Sequence, residues 1–230
     1  MSYIIDEIEV DGINDTFGAN VDIDDIESSS IFLLDAIFDA TGSMYSYRST
    51  MNDCLNHFKK AIQDSKQADE MLVAKTLFED KITTGGYVHI EDFDTSYYTS
   101  GCTRLYDAIV ERYHRLLEYI EQLNENGTNV RAAMVILTDG YDNVSSNSMS
   151  VVKKAIEDLH NREITVAFIG FGPDANGIAG NLGVYPQDTI EAKNDEKELR
   201  RIMHLVSKSA ISASKKASAG ASSSGGFFDV

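Results

Sequence analysis

Ile31-Phe32-Leu33-Leu34-Asp35-Ala36-Ile37-Phe38-Asp39-Ala40-Thr41-Gly42-Ser43 decides how the chain is read, because an apolar strand here runs directly into a carboxylate and two hydroxyls. The run Ile31 to Phe38 has the nearly continuous apolar character of a strand buried on both faces of a parallel sheet. A second such run, Ala132 to Leu137, precedes Thr138-Asp139-Gly140. Loops beyond the carboxyl ends of neighbouring parallel strands converge on one crevice, where ligands bind. Thr103, in Gly101-Cys102-Thr103-Arg104-Leu105, opens a predicted helix and supplies a third hydroxyl. Asp39, Thr41, Ser43, Thr103 and Asp139 thus form an oxygen-only donor set, provided the fold gathers three loops. Hard cations prefer oxygen, and Mg2+ takes near-octahedral oxygen coordination.

In order and spacing, Asp39-x-Thr41-x-Ser43, Thr103 within Gly-x-Thr-x-Leu-Tyr-Asp-Ala, and Leu137-Thr138-Asp139-Gly140 resemble the metal-ion-dependent adhesion site of von Willebrand factor A (vWA) domains. The resemblance covers about residues 31–208. It implies a three-layer, Rossmann-like α/β fold with a mostly parallel central sheet, one antiparallel edge strand and helices on both faces. It also implies that Thr41, Ser43 and Thr103 are hydroxyl ligands of a Mg2+-type ion, with Mn2+ and Ca2+ as alternatives. Asp39 and Asp139 would act directly or through water. An ion held mostly by neutral hydroxyls keeps positive charge and can accept an Asp or Glu carboxylate from a partner protein. Intracellular bacterial proteins of this kind often work beside AAA+ ATPases of the MoxR class or in stress and phage-related assemblies, so the same partners are expected here by analogy alone. Thr41 stands where many members have Ser, and either supplies a hydroxyl. Asp35 departs further, because it puts a charge in a strand that should be buried. Either the buried strand is only Ala36 to Phe38, or Asp35 finds a partner.

Composition agrees with one domain plus tails, since 230 residues at 43% hydrophobic can bury a sizeable core. No apolar run approaches the ~20 residues that cross a bilayer, and the first 30 residues lack a basic signal-type region. Two cysteines, Cys54 and Cys102, give no disulfide framework and fit a reducing compartment. The expectation is a cytoplasmic protein without membrane attachment. Net charge is −17; residues 1–30 hold nine acids and no Lys or Arg, and the other 200 residues carry the remaining −8. Such a surface repels nucleic-acid phosphates, and no basic stripe offsets the repulsion.

The organisation reads as an acidic arm over 1–30, the vWA-type domain over 31–208 and a flexible Ser/Ala/Gly-rich tail over 209–230. Within the domain, strands are expected at Leu72–Phe78 and Tyr87–Phe93, joined by a turn at Thr83-Thr84-Gly85-Gly86. A strand is expected at Ile164–Ile169 and a short one around Ile190. Helices are expected from Met44 to about Lys66, from Thr103 to about Leu123 and from Glu196 to about Ser209, with a helical turn at Ile178–Leu182. In the arm, Ile4, Asp6, Ile8 and Val10 alternate as an edge strand would, but a solvated acidic arm is favoured, and one of its carboxylates could block the ion's open position. The tail ends in Phe227-Phe228-Asp229-Val230, which could dock in a partner's groove.

Other chemistry fits less well. An Asp after the first strand also opens haloacid-dehalogenase-like phosphohydrolases, but that family needs a second Asp where Thr41 stands. No phosphate-binding Gly-rich loop or Gly-x-Ser-x-Gly elbow occurs, and His57, His89, His114, His160 and His204 form no ligand pair at helical spacing. The reading is therefore a non-catalytic, metal-dependent interaction module, with a metal phosphohydrolase and a scaffold with a purely structural metal as alternatives. Ser43, Thr103 and Asp139 each have an ordinary use as a cap or turn residue. Asp142 either rims the site or only forms a turn.

Overall fold

A computed structural model describes residues 10–220 and 226–230. Its centre is an eight-stranded sheet. The long strands are β2 (Ser30–Asp39), β3 (Met71–Phe78), β6 (Asn129–Thr138) and β7 (Thr165–Phe171), preceded by a short β1 (Ile13–Asp15) and accompanied by β4 (Ile82–Thr84), β5 (Val88–His89) and β8 (Thr189–Ala192). Their order is β1-β4-β3-β2-β6-β7-β8, with β5 also pairing to β3. Strands β3, β2, β6, β7 and β8 are mutually parallel; β4 and β5 run antiparallel to β3, and β1 lies parallel to β4 on the outside.

Alternation along β2 splits the core into two layers, because successive side chains point to opposite faces. Ile31, Leu33 and Ile37 pack with α2 (Leu105–Glu125), α3 (Met149–Asn161) and α4 (Ala175–Leu182), while Phe32, Leu34, Ala36 and Phe38 pack with α1 (Arg48–Gln63) and α5 (Glu196–Ser218). The architecture is thus the expected three-layer α/β sandwich. Between strands and helices, β2 and β6 end side by side, which places Asp39 and Thr138 at the carboxyl end of the sheet's centre.

Asp35 has found a partner, and the strand is not shortened. It faces the α2 layer with no exposure, where Arg112 Nε donates to Asp35 Oδ1 at 2.5 Å and the Tyr87 hydroxyl donates to Asp35 Oδ2. Arg112 Nη1 also donates to Thr84 Oγ1 and to the Gly85 carbonyl, at 3.2 and 2.8 Å. Burial opposes the guanidinium charge, but the adjacent Asp35 carboxylate holds Arg112 above its ordinary value. One buried ion pair thereby ties β2, β4 and α2 together.

Several local expectations are corrected. Thr83 and Thr84 lie in β4, and the reversal falls at residues 79–81, where Glu79 N–H donates to the Lys81 carbonyl. Gly85 and Gly86 serve close approach instead; a Cβ on Gly86 would lie 2.1 Å from the Asn20 nitrogen. The segment 87–93 pairs only at β5, because Ile90 and Phe93 turn under α1, with Phe93 against Phe58 at a centroid separation of 5.5 Å. The helix expected from Met44 begins as a 3-10 stretch, Gly42–Tyr47, before α1. Residues 209–218, expected in a flexible tail, continue α5; their small side chains let the helix pack closely, with Ala210, Ser214 and Ala217 buried and Ser214 Oγ donating to Gln67 Oε1 at 3.0 Å.

Residues 10–30 are not a solvated arm. They supply β1 along β4, bury Val10, and are bound by the Arg115–Asp15 pair at 2.8 Å and by Tyr119 Oη donating to the Val21 carbonyl at 3.0 Å. The strand expected at Ile4–Val10 lies outside the described residues except for Val10, as do Asp6, Glu7 and Glu9; of the arm's other candidate blocking carboxylates, Asp15 is taken up by Arg115 and Asp22 by the Asp24 N–H. The Phe227–Val230 terminus packs on its own chain: Phe227 is buried, and its N–H donates to Asp188 Oδ1 at 2.5 Å. No helix among the described residues is long and apolar enough to cross a membrane.

Candidate functional site

Three loops meet at the carboxyl ends of β2 and β6. The first turns sharply after Asp39 because Asp39 Oδ1 accepts the Thr41 N–H at 2.9 Å. Ala40 N–H donates to the Phe78 carbonyl, and the Ala40 carbonyl accepts Ser100 N–H at 2.8 Å. The second loop is therefore pinned to the first, and Gly42 N–H adds a bond to the Gly101 carbonyl at 3.2 Å. Gly101 permits that approach: its φ is +60°, and a Cβ there would lie 2.3 Å from Asp80 Oδ2.

The side chains follow. Thr41 Oγ1 and Ser43 Oγ are 2.9 Å apart, and Ser43 Oγ donates to Asp139 Oδ1 at 2.8 Å. Thr138 Oγ1 donates to Asp39 Oδ2 at 2.6 Å. Thr103 is fixed to the third loop by its backbone: its N–H donates to Asn143 Oδ1 at 2.9 Å, and its carbonyl accepts Asn143 N–H at 3.0 Å. Asp39, Thr41, Ser43 and Asp139 are thus joined, with Thr138, by bonds between loops 96 to 99 positions apart, while Thr103 is tied in through its backbone to Asn143, 40 positions on.

Ser43 and Thr103 are not used as helix caps, while Asp139 and Gly140 form the bend after β6. The N-cap of α1 is Tyr47 and that of α2 is Arg104, neither with a side-chain cap bond, so the hydroxyls of Ser43 and Thr103 do not cap these helices. Asp142 is the turn residue of the group: it accepts Tyr106 N–H at 3.1 Å and Ser145 Oγ at 2.5 Å, securing the start of α2.

Burial pushes the Asp39 carboxyl above its ordinary value, against the pull of its Thr138 and Thr41 bonds. Burial also raises Asp139, and the negative charge of Asp39 raises it further. Two carboxylates crowded in this way favour a proton or a cation between them. Among the described residues no group of three His, Cys, Asp or Glu is placed to hold a metal, so any ion here would depend on the hydroxyls as well. Two carboxylates and three hydroxyls, with no nitrogen or sulfur, have the donor chemistry of a site for a hard divalent cation.

Sequence reasoning passed over the residues that hold these loops in register. Asp107, fully buried on α2, accepts Ser146 N–H at 2.9 Å, Asn147 N–H at 2.8 Å, Asn147 Nδ2 at 2.7 Å and Arg104 Nε at 2.9 Å. Burial opposes its charge, yet these donors hold it below the ordinary carboxylate range. An acid on the apolar face of a predicted helix was the available signal.

No protein-family profile and no curated protein sequence matches the chain. Solved structures do. The pilus adhesin SpaC from Lactobacillus rhamnosus GG superposes with a TM-score of 0.63 at 11% identity, over 80% of this chain and 30% of the adhesin. Proximal thread matrix protein 1 from the mussel byssus gives 0.59 at 18% identity, over 80% of this chain and 47% of that protein. Manganese-loaded TRAP protein from Plasmodium vivax gives 0.52 at 17% identity, over 75% and 72%. This chain therefore spans about half of the mussel protein. Together with the strand order, the likeness defines the class: a Rossmann-like α/β fold of the vWA type.

Proposed function

We propose that the chain is a metal-dependent protein-interaction module. A Mg2+-type ion would be held by Thr41, Ser43 and Thr103, with Asp39 and Asp139 balancing its charge, and would take an Asp or Glu side chain from a partner protein. The ion supplies the Lewis-acid point that a carboxylate seeks. The chain's residues do the rest. Ser43 and Thr41 present adjacent hydroxyls, Thr138 and the Thr41 N–H orient Asp39, and the Asn143 bonds keep Thr103 in place.

The observation that carries this reading is the Thr41–Ser43–Asp139 chain of contacts, at 2.9 and 2.8 Å, which joins hydroxyls and an acid from separate loops. Burial raises the Asp139 carboxyl, so its charged form costs stability there. Binding a cation there would offset that cost.

Thermal unfolding with Mg2+ and with EDTA tests the metal; affinity capture under both conditions, with mass spectrometry of retained proteins, tests the bridge. The expected result is a metal-dependent rise in unfolding temperature, and a partner held only in Mg2+ and lost on Ser43→Ala with Asp139→Ala. Capture that the double substitution leaves intact would overturn the proposal.

A further inference from the structure

Residues 93–104 lead to Thr103 and into α2 without any helix or strand of their own. A segment of this kind keeps one conformation only where other groups take up its backbone donors and acceptors. Helix α1 supplies three such groups from one face, Asn52, Asn56 and Lys59, at i, i+4 and i+7. Lys59 Nζ donates to the Phe93 carbonyl at 3.0 Å, and Asn56 Oδ1 accepts Thr95 Oγ1 at 2.9 Å. Asn52 grips Tyr97 on both sides: its Oδ1 accepts the Tyr97 N–H at 3.0 Å and its Nδ2 donates to the Tyr97 carbonyl at 2.9 Å. From β3, the buried Lys75 donates to the carbonyls of Asp94 and Ser96, each at 2.8 Å.

Tyr97 passes this hold on to the loop after β2. Its ring is buried in the layer between the sheet and α1, and its hydroxyl donates to the Asp39 backbone carbonyl. The peptide joining Asp39 to Ala40 is thereby fixed at both ends, because the Ala40 N–H donates to the Phe78 carbonyl at 2.9 Å. The next peptide is fixed as well, its carbonyl by the Ser100 N–H and its N–H by Asp39 Oδ1. Tyr97, Ser100 and Gly101 thus face Asp39, Ala40 and Gly42 in order along the two loops, and Thr103 follows two residues after the last contact. Burial, and then the charges of Asp39 and Asp139, hold the Tyr97 phenol well above its ordinary value, so it stays a donor.

Resting on the proposed metal site, we infer that Tyr97 is a positioning residue for the ion, and that Asn52 acts through it, so that α1 sets the Thr41 and Ser43 hydroxyls in register with Thr103. Neither side chain belongs to the donor set. Their work is to fix the backbone from which the donors project, and groups that orient metal ligands in this way change affinity by about ten- to a hundredfold when removed.

Tyr97→Phe removes the hydroxyl and keeps the ring, while Asn52→Leu removes both grips on Tyr97 and keeps the volume. Calorimetric titration of the full chain with Mg2+ should find each variant about tenfold weaker than the parent. The double variant should be within about twofold of Tyr97→Phe, because Asn52 acts through Tyr97 and the two losses do not add. Amide hydrogen exchange in EDTA gives a reading that needs no metal: the Gly42 and Ser100 N–H groups, which bridge the two loops, should exchange faster in both single variants. Unchanged Mg2+ affinity in Tyr97→Phe, losses that multiply to about a hundredfold in the double variant, or Gly42 and Ser100 exchanging as in the parent would overturn the inference. A parent chain that takes up no Mg2+, while its variants still exchange faster, would overturn the metal reading itself, a distinct outcome.

Discussion

Ser43 Oγ donates to Asp139 Oδ1 at 2.8 Å although the two residues are 96 positions apart. That bond closes the loop after β2 onto the loop after β6, and it brings a hydroxyl to an acid that Asp39 already repels. The arrangement has a pH signature. Asp39 and Asp139 are both raised from the usual 3.8, so their charged forms destabilise the metal-free chain above the raised values, and acidification relieves the strain. Cation binding needs them deprotonated. The Mg2+-dependent rise in unfolding temperature should therefore be largest near about pH 7 and shrink as pH falls toward about pH 4. Differential scanning fluorimetry across that range checks it, and a shift that grows on acidification contradicts the assignment.

Removing Arg112 alone should cost far more than removing the pair. Arg112→Met leaves Asp35 buried and uncompensated, a loss of about 3–5 kcal/mol. Asp35→Leu combined with Arg112→Met replaces the ion pair with apolar volume and should recover most of that loss. Urea unfolding of both variants measures the difference. Equal destabilisation would mean that the pair contributes more than charge compensation.

Asp107 should matter to the site without touching it. Asp107→Ala strips acceptors from Ser146, Asn147 and Arg104, at a cost of about 3 kcal/mol. The loop it holds also carries Asn143, to which Thr103 is bonded, so Mg2+ affinity should fall about tenfold or more in the variant that remains folded. Because Asp107 lies below the usual 3.8, its contribution is complete above that value and is lost as pH falls through the lower, folded value. Calorimetric titration with Mg2+ separates the two effects: unchanged affinity alongside lowered stability would make Asp107 a folding residue only.

What the sequence disclosed followed from burial and periodicity. β2, β6 and β7 are covered on both faces, so their apolar runs stand out, and the neighbouring positions of Asp39, Thr41, Ser43 and Asp139 after β2 and β6 were legible. β1 and β4 were not, because three residues carry no period, and β5 was foreseen only within the longer run 87–93. The extension of α5 was misread for a chemical reason: Ser and Ala are as common in linkers as in tightly packed helices. The stitching by Asp107, Asp142 and Asn143 spans 36 to 40 positions, and no local pattern announces bonds of that reach.

The carboxy-terminal residues show how far a motif reading can invert. Phe227 and Phe228 looked like a docking motif for a partner, yet Phe227 is buried in the layer that holds Phe32 and Ala213 and lines one groove with Arg131 and Thr165, at the amino ends of β2, β6 and β7 and along α5. Asp188 receives the Phe227 N–H there; burial raises its carboxyl, that bond lowers it, and Asp229 raises it again. Deleting residues 226–230 would uncover this apolar floor and leave Asp188 buried without its donor. Burial of one phenylalanine is worth about 2 kcal/mol, so the truncated chain should be less stable by roughly that amount and unfold at a lower denaturant concentration. The loops of the candidate site lie at the opposite end of the sheet, so the Mg2+-dependent thermal shift expected of the proposed site should persist. If truncation instead abolishes that shift while the chain stays folded, the two ends are coupled through α5, which spans from Glu196 near the site to Ser218 beside this floor.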